Sequence, residues 1–281
     1  MRRITLAFAL GIVWAASASA ETPLERGTYL VRSIVACGNC HTPQTPTGPA
    51  PGMELAGQLV HKDTDMTAYA PNITQDKETG IGAWTDAQIV TAIRDGKRPD
   101  GSLIGPPMPF GLYRRISDTD VAAIVAYLRT VKPVRNKVPK SAYDIPLPPA
   151  WGPSVGRVAD VPRDDKVVYG AYLAGPLGHC IECHTPMVKG HFDYESQLGA
   201  GGFQFPGPWG VSVSPNITPH GDGVAGYTDA QLKKIITTGI RPDGSRLMPP
   251  MGVGYYRNIS APDLDAIIAY LRTLKPVPSP E

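Results

Sequence analysis

The chemistry-bearing residues fall into two matching spacings, Cys37-Gly-Asn-Cys40-His41 and Cys180-Ile-Glu-Cys183-His184, which together use every cysteine of the chain. Cys-x-x-Cys-His is the attachment signature of heme c. Two intervening residues set the thiols to meet the two vinyl groups on one edge of a porphyrin, and the adjacent histidine reaches under the ring to the iron. Competing chemistries fit less well. A disulfide redox motif needs no histidine beside its second cysteine in both copies. A single zinc site would have to join motifs 143 residues apart, each with its own histidine. A structural disulfide across a two-residue gap closes too short a loop to stabilise much. The expected cofactors are therefore two hemes c, covalently held by Cys37 and Cys40 and by Cys180 and Cys183, with His41 and His184 on the irons.

A thioether is the expected sixth ligand of an electron-carrying heme, since it gives a low-spin iron and raises its potential. Of Met53, Met66, Met108, Met187, Met248 and Met251, only Met108 and Met251 correspond at an offset of 143. Each lies 67 residues after its histidine (41 to 108, 184 to 251) and follows a Pro-Pro pair. They are the expected iron ligands. Met248, whose counterpart is Gly105, is the weaker candidate. Softer candidates for binding the propionates are Asn72 and Asn216 in Pro-Asn-Ile-Thr, Trp84 and Tyr227, and Arg98 and Arg241 in Arg-Pro-Asp-Gly. A carboxylate taken out of water needs donors or a cation.

The elements that must position these groups are themselves duplicated. Residues 98–134 and 241–277 are closely similar, Gly27-Thr28-Tyr29-Leu30 matches Gly170-Ala171-Tyr172-Leu173, and Thr85-Asp86-Ala87-Gln88 matches Thr228-Asp229-Ala230-Gln231. The spacing predicts a first helix over 23–36 and 164–174. A second helix runs from Thr85 or Thr228 to Gly96 or Gly239. The last carries Val121, Ile124, Val125 and Leu128, or Leu264, Ile267, Ile268 and Leu271, at i, i+3, i+4 and i+7. Ser117 and Ser260 stand at its N-caps, and Pro133 and Pro276 follow its end. Tyr29 and Tyr172 read as core residues; His61, His179, His191 and His220 lack partners under the repeat and read as surface or loop. No long alternating pattern supports a sheet. The expectation is an all-α chain: a first domain over 21–140, a Pro-rich linker over 141–162, and a second domain over 163–281.

Residues 1–20 read as a cleaved signal peptide, with Arg2 and Arg3, an apolar run from Ile4 to Ala16, and Ala18-Ser19-Ala20 as the cleavage site. The mature chain would begin at Glu21 in the periplasm, without a transmembrane anchor. Removing the two arginines balances 25 basic against 25 acidic side chains, so the charge favours neither nucleic acid nor an anionic membrane.

The series Cys-x-x-Cys-His, Pro-Asn-Ile-Thr, Trp84-Thr-Asp-Ala-Gln, Arg-Pro-Asp-Gly, Pro-Pro-Met-Pro and Ala-Tyr-Leu-Arg resembles the cytochrome c subunits of membrane-associated alcohol and gluconate dehydrogenases over nearly all the mature chain. The resemblance implies class I cytochrome c domains, with electrons arriving from a periplasmic or membrane-associated dehydrogenase and leaving toward quinone or a terminal oxidase. Those subunits typically carry three hemes and often a C-terminal anchor, whereas this sequence has two motifs and no late apolar run. The expected role is an electron carrier, not an enzyme. The rival is a two-heme peroxidase-type oxidoreductase with one open iron, which the paired methionines disfavour.

Overall fold

The computed structural model describes residues 20–281, so the leader reading lies almost wholly outside the described residues. Each unit is framed by its first and last helices. In the first, α1 (Pro23–Arg32) opens on a reciprocal cap between Thr22 and Glu25. It is followed by α2 (Cys37–His41), α3 (Asp86–Asp95), α4 (Phe110–Tyr113) and α5 (Asp118–Leu128). The second repeats the series with α6 (Lys166–Tyr172), α7 (Cys180–Cys183), α8 (Asp229–Thr238), α9 (Val253–Tyr256) and α10 (Ala261–Thr273), a π-helical turn at Leu173–Leu177 prolonging α6. Thr85 and Thr228 each make a capping box with the glutamine three residues on, and Gly96 and Gly239 end these helices at φ 62° and 67°. α1 crosses α5 at Gly27, where a Cβ would collide with the Ala123 carbonyl; α6 crosses α10 at Gly170, where it would collide with that of Ala266. The repeated Gly-x-Tyr-Leu therefore marks a helix crossing too close for any side chain.

The chain is not all-α. Of the described residues 32% are helical and 12% are in strands, a mixed content. β1 (Gln44–Thr45) and β2 (Gly48–Pro49) form one hairpin, β6 (Met187–Val188) and β7 (His191–Phe192) another. β3 (Gln58–Lys62), β4 (Met66–Ala70) and β5 (Ala142–Tyr143) form a three-stranded antiparallel sheet, and β8 (Gln204–Gly207) pairs with β9 (Gly210–Val213). Strands of two to five residues are too short for a period-two pattern to stand out, and the β3–β4 pairing shifts register between Leu59 and His61.

The Pro-rich segment is not a free spacer. β5 lies within it and pairs with β4, Trp151 stacks on Phe110 with centroids 5.6 Å apart, and Asp118 donates its N–H to the Val158 carbonyl. It straps the first unit. The two units also share one apolar core: Leu30, Ile34 and Ile124 belong to the same buried cluster as Leu173, Leu177 and Ile267.

Two tyrosines fasten the units together. The Tyr172 hydroxyl donates to Asp120 Oδ2 (2.8 Å) and accepts the Ser117 N–H (3.1 Å), at the N-terminus of α5. Tyr29 does the reciprocal, donating to Asp263 Oδ2 (2.6 Å) and accepting from Ser260 N–H (3.1 Å) at the start of α10. Tyr29 and Tyr172 are thus contacts between units, each reaching the helix cap of the other repeat. The symmetry is imperfect. Asp120 also accepts two hydrogen bonds from Arg26, at 2.7 and 3.0 Å, whereas Tyr169 stands where the repeat would place a second arginine and instead accepts from Arg26 at 3.2 Å.

Candidate functional site

Both attachment helices begin from a strained residue. Ala36 (φ 51°) and His179 (φ 41°), counterparts under the repeat, adopt the left-handed conformation immediately before Cys37 and Cys180. A non-glycine residue there costs energy that the surrounding packing must offset, and such strain concentrates at functional sites. It turns the chain sharply so that a one-turn helix presents both thiols and the histidine. All four thiols are free of disulfides.

The two histidines are held alike. His41 Nδ1 lies 2.8 Å from the Pro71 carbonyl, and His184 Nδ1 lies 2.7 Å from that of Pro215. A carbonyl only accepts, so Nδ1 carries the proton and Nε2 keeps its lone pair, as a metal-binding imidazole requires. Burial lowers both imidazole pKa values, against the opposing pull of the carbonyl bond. The neutral ligand form is thereby favoured. Pro71 and Pro215 open the two Pro-Asn-Ile-Thr turns, so that repeated motif supplies the group that orients each histidine.

Met108 and Met251 are half-buried against the shared core, while Met248 is 46% exposed. Both precede short helices, α4 and α9, and both Pro-Pro bonds before them are cis. Met251 lines one apolar cavity with Cys180, His184, Tyr256 and Leu271, and Ile34 of the first unit closes it. Two thiols, an imidazole with a free Nε2, a thioether and an apolar wall are the donor set and surroundings that a covalent, six-coordinate heme needs.

The other expected site residues make local contacts that close their turns or pack on the core. The Asn72 amide donates to the Val134 carbonyl (2.7 Å) and to Thr79 Oγ1 (3.1 Å), and its carbonyl accepts from Thr74 N–H (2.9 Å). Asn216 binds the Val277 carbonyl (2.8 Å) and Thr218 N–H (2.8 Å) in the same way. These side chains tie the turn to the strand of chain that follows the last helix. Arg98 and Arg241 close their own turns, on Leu103 O (2.5 Å) and on Ser245 Oγ (3.2 Å). Trp84 and Tyr227 pack on the core, and their backbone carbonyls accept from Arg129 and Arg272.

The sequence reading missed the residues between the two motifs. Tyr113 and Tyr256, counterparts in α4 and α9, are buried, and their hydroxyls are kept far from ionisation by that burial. The His179 ring, half-buried in the loop before Cys180, sits edge-on to Tyr113 at 6.0 Å, and desolvation pulls its pKa down to about 4. Glu182 is also pushed up, to about 7, by desolvation. The two tyrosines are related by the 143-residue offset, the signal that could have found them, but only packing shows that the first unit's Tyr113 meets the second unit's His179.

Comparison with known proteins agrees with this arrangement. The cytochrome c family model matches residues 25–132 and again 168–275. The chain is 32% identical over 278 residues to the cytochrome c subunit of a quinone-dependent alcohol dehydrogenase of Gluconobacter oxydans, covering 92% of this chain and 56% of that protein. It is 34% identical to the fructose dehydrogenase cytochrome subunit of Gluconobacter japonicus, covering 92% and 54%. It is 31% identical to a diheme cytochrome c-type protein of Cereibacter sphaeroides, covering 84% and 81%. The chain thus spans just over half the length of the first two relatives and most of the third. With two motif-bearing repeats and two matches that together cover most of its length, the chain belongs to the cytochrome c family and contains two cytochrome c domains in tandem.

Proposed function

We propose that this protein is a periplasmic diheme cytochrome c that accepts electrons from a dehydrogenase and passes them toward quinone or a terminal oxidase. The observation that carries the reading is the paired site: in each repeat a Cys-x-x-Cys-His helix presents a histidine whose Nδ1 is locked on a backbone carbonyl. Bound heme supplies one-electron redox chemistry at its iron. The chain supplies Cys37, Cys40, Cys180 and Cys183 for attachment, and His41 with Met108 and His184 with Met251 as ligands. Its apolar walls keep water from the irons and favour the lower charge state.

The relatives named as dehydrogenase cytochrome subunits support a donor of that class, and among the described residues no helix is long and apolar enough to cross a membrane. We place the two domains at 21–140 and 163–281, with the segment between them as a strap; the matched spans 25–132 and 168–275 support this division. Asn72, Trp84, Arg98, Asn216, Tyr227 and Arg241 remain within this proposal as the shell around the propionates, the four polar ones acting mainly through the turns they close.

The test is reduction of the purified two-heme protein by a quinone-dependent alcohol or sugar dehydrogenase and its substrate. Fast reduction of both hemes with enzyme present, and none with substrate alone, is expected. Turnover of peroxide or substrate by the isolated protein would place it among the enzymes instead. An intact mass without two hemes after denaturation would refute covalent attachment.

A further inference from the structure

We infer that the two methionine loops are held by different, non-equivalent parts of the chain, with Tyr143 positioning Met108 and Asn39 positioning Met251. This rests on the ligand reading above. In the first unit the Tyr143 hydroxyl donates to the Pro106 carbonyl at 2.9 Å, two residues before Met108. Its ring lies against Gly105, where a Cβ would collide with it. Trp151 adds a second bond, from Nε1 to the Ile104 carbonyl at 2.9 Å. Both aromatics come from the Pro-rich strap, which is not part of the repeat.

Among the described residues, no aromatic side chain donates to the second loop as Tyr143 and Trp151 do to the first. Met248 stands where the first loop has Gly105, and its side chain is 46% exposed. Its restraint comes instead from the other domain. Asn39, between the two cysteines of the first attachment helix, donates its side-chain amide to the Pro250 carbonyl at 2.9 Å, the residue before Met251. Beside it, Gly38 lets α2 lie against Tyr255, whose hydroxyl a Cβ would strike. The reciprocal contact is absent among the described residues: Glu182, the counterpart of Asn39, makes no hydrogen bond to Pro107, whereas Asn39 reaches Pro250. The first heme's attachment helix thus doubles as the brace for the second heme's ligand loop. Each thioether can then be loosened without loosening the other.

Imidazole titration of the oxidised two-heme protein reads this directly, because imidazole competes with the thioether for each iron. Met108→Ala and Met251→Ala assign the two binding phases, each converting one phase to tight binding. Losing one hydrogen bond shifts the balance between held and released thioether by roughly fivefold to tenfold. Tyr143→Phe is therefore expected to tighten imidazole binding by about that factor at the Met108 heme only, and Asn39→Ala at the Met251 heme only. Asn39→Asp, nearly the same shape but with a carboxylate facing the Pro250 carbonyl, should tighten the second phase at least as much, and it serves if the alanine variant fails to take up both hemes. The inference is overturned if Asn39 variants alter the first phase, if Tyr143→Phe alters the second, or if neither moves its phase while the methionine variants behave as assigned. If the methionine variants themselves leave both phases unchanged, the ligand reading fails and this inference falls with it.

Discussion

Replacing Tyr172 with phenylalanine removes a single oxygen from a fully enclosed junction between the domains. Ser117, Asp120 and Tyr172 are 2%, 6% and 5% exposed, so water cannot take the place of the lost hydroxyl. Two bonds go: the one donated to Asp120 Oδ2 at 2.8 Å and the one accepted from Ser117 N–H at 3.1 Å. A hydrogen bond to a charged group contributes about 1.5–3 kcal/mol, and a buried amide left without an acceptor costs about 1–3 kcal/mol. The lower half of each range applies. Arg26 still holds both oxygens of Asp120, so its charge is not orphaned. The expected loss is about 3 kcal/mol of unfolding free energy. Urea unfolding of the two-heme protein, followed through the heme absorption, measures it as a fall in midpoint. A double-mutant cycle with Asp120→Asn should return a coupling of about 1.5 kcal/mol or more, since the pair shares one network. A loss below about 1 kcal/mol, or a coupling near zero, would refute the view that this tyrosine clasp fastens the domains.

The helix crossings give a second expectation: Gly170→Ala should cost about 3 kcal/mol or more through collision with the Ala266 carbonyl, while Gly111→Ala, with open space around it, should change the thermal midpoint little. Met251→Ala and Met108→Ala should each abolish one Met–iron charge-transfer band and lower one reduction potential, and Met248→Ala, at an exposed side chain, should leave both bands; loss of a band in Met248→Ala would reassign the ligand. At alkaline pH, burial first and then the Asp263 bond push the Tyr29 phenol up to about 12. A folded-state pKa raised above the unfolded value of about 10 gives stability that is intact below pH ~10 and lost as pH climbs toward 12. Urea midpoints of the native protein should fall across that window and those of Tyr29→Phe should fall less.

Much of the site was legible in the residues because its spacing is chemical. The reach between two vinyl groups dictates Cys-x-x-Cys-His, and one 143-residue offset aligns the cysteines, histidines, methionines and helix caps of both copies. Helix limits followed for the same local reason: capping boxes at Thr85 and Thr228 and left-handed glycines at Gly96 and Gly239 are decided within one turn of chain. The strands escaped because segments of two to five residues carry too few side chains for a period to show, and β5 exists only because the strap returns to pair with β4.

What the repeat could not state is how its two copies meet. Tyr29 and Tyr172 carry the same local pattern as core tyrosines, yet each reaches a cap that lies far away in sequence in the other domain. Asn39 looks like a spacer between cysteines until Pro250 is beside it. Short-range patterns determine which helices form, where they stop and which atoms can bind a heme, because those depend on neighbours along the chain. The shared core, the clasp and the bracing of each methionine loop depend on neighbours in space, and only the packed structure brings those together.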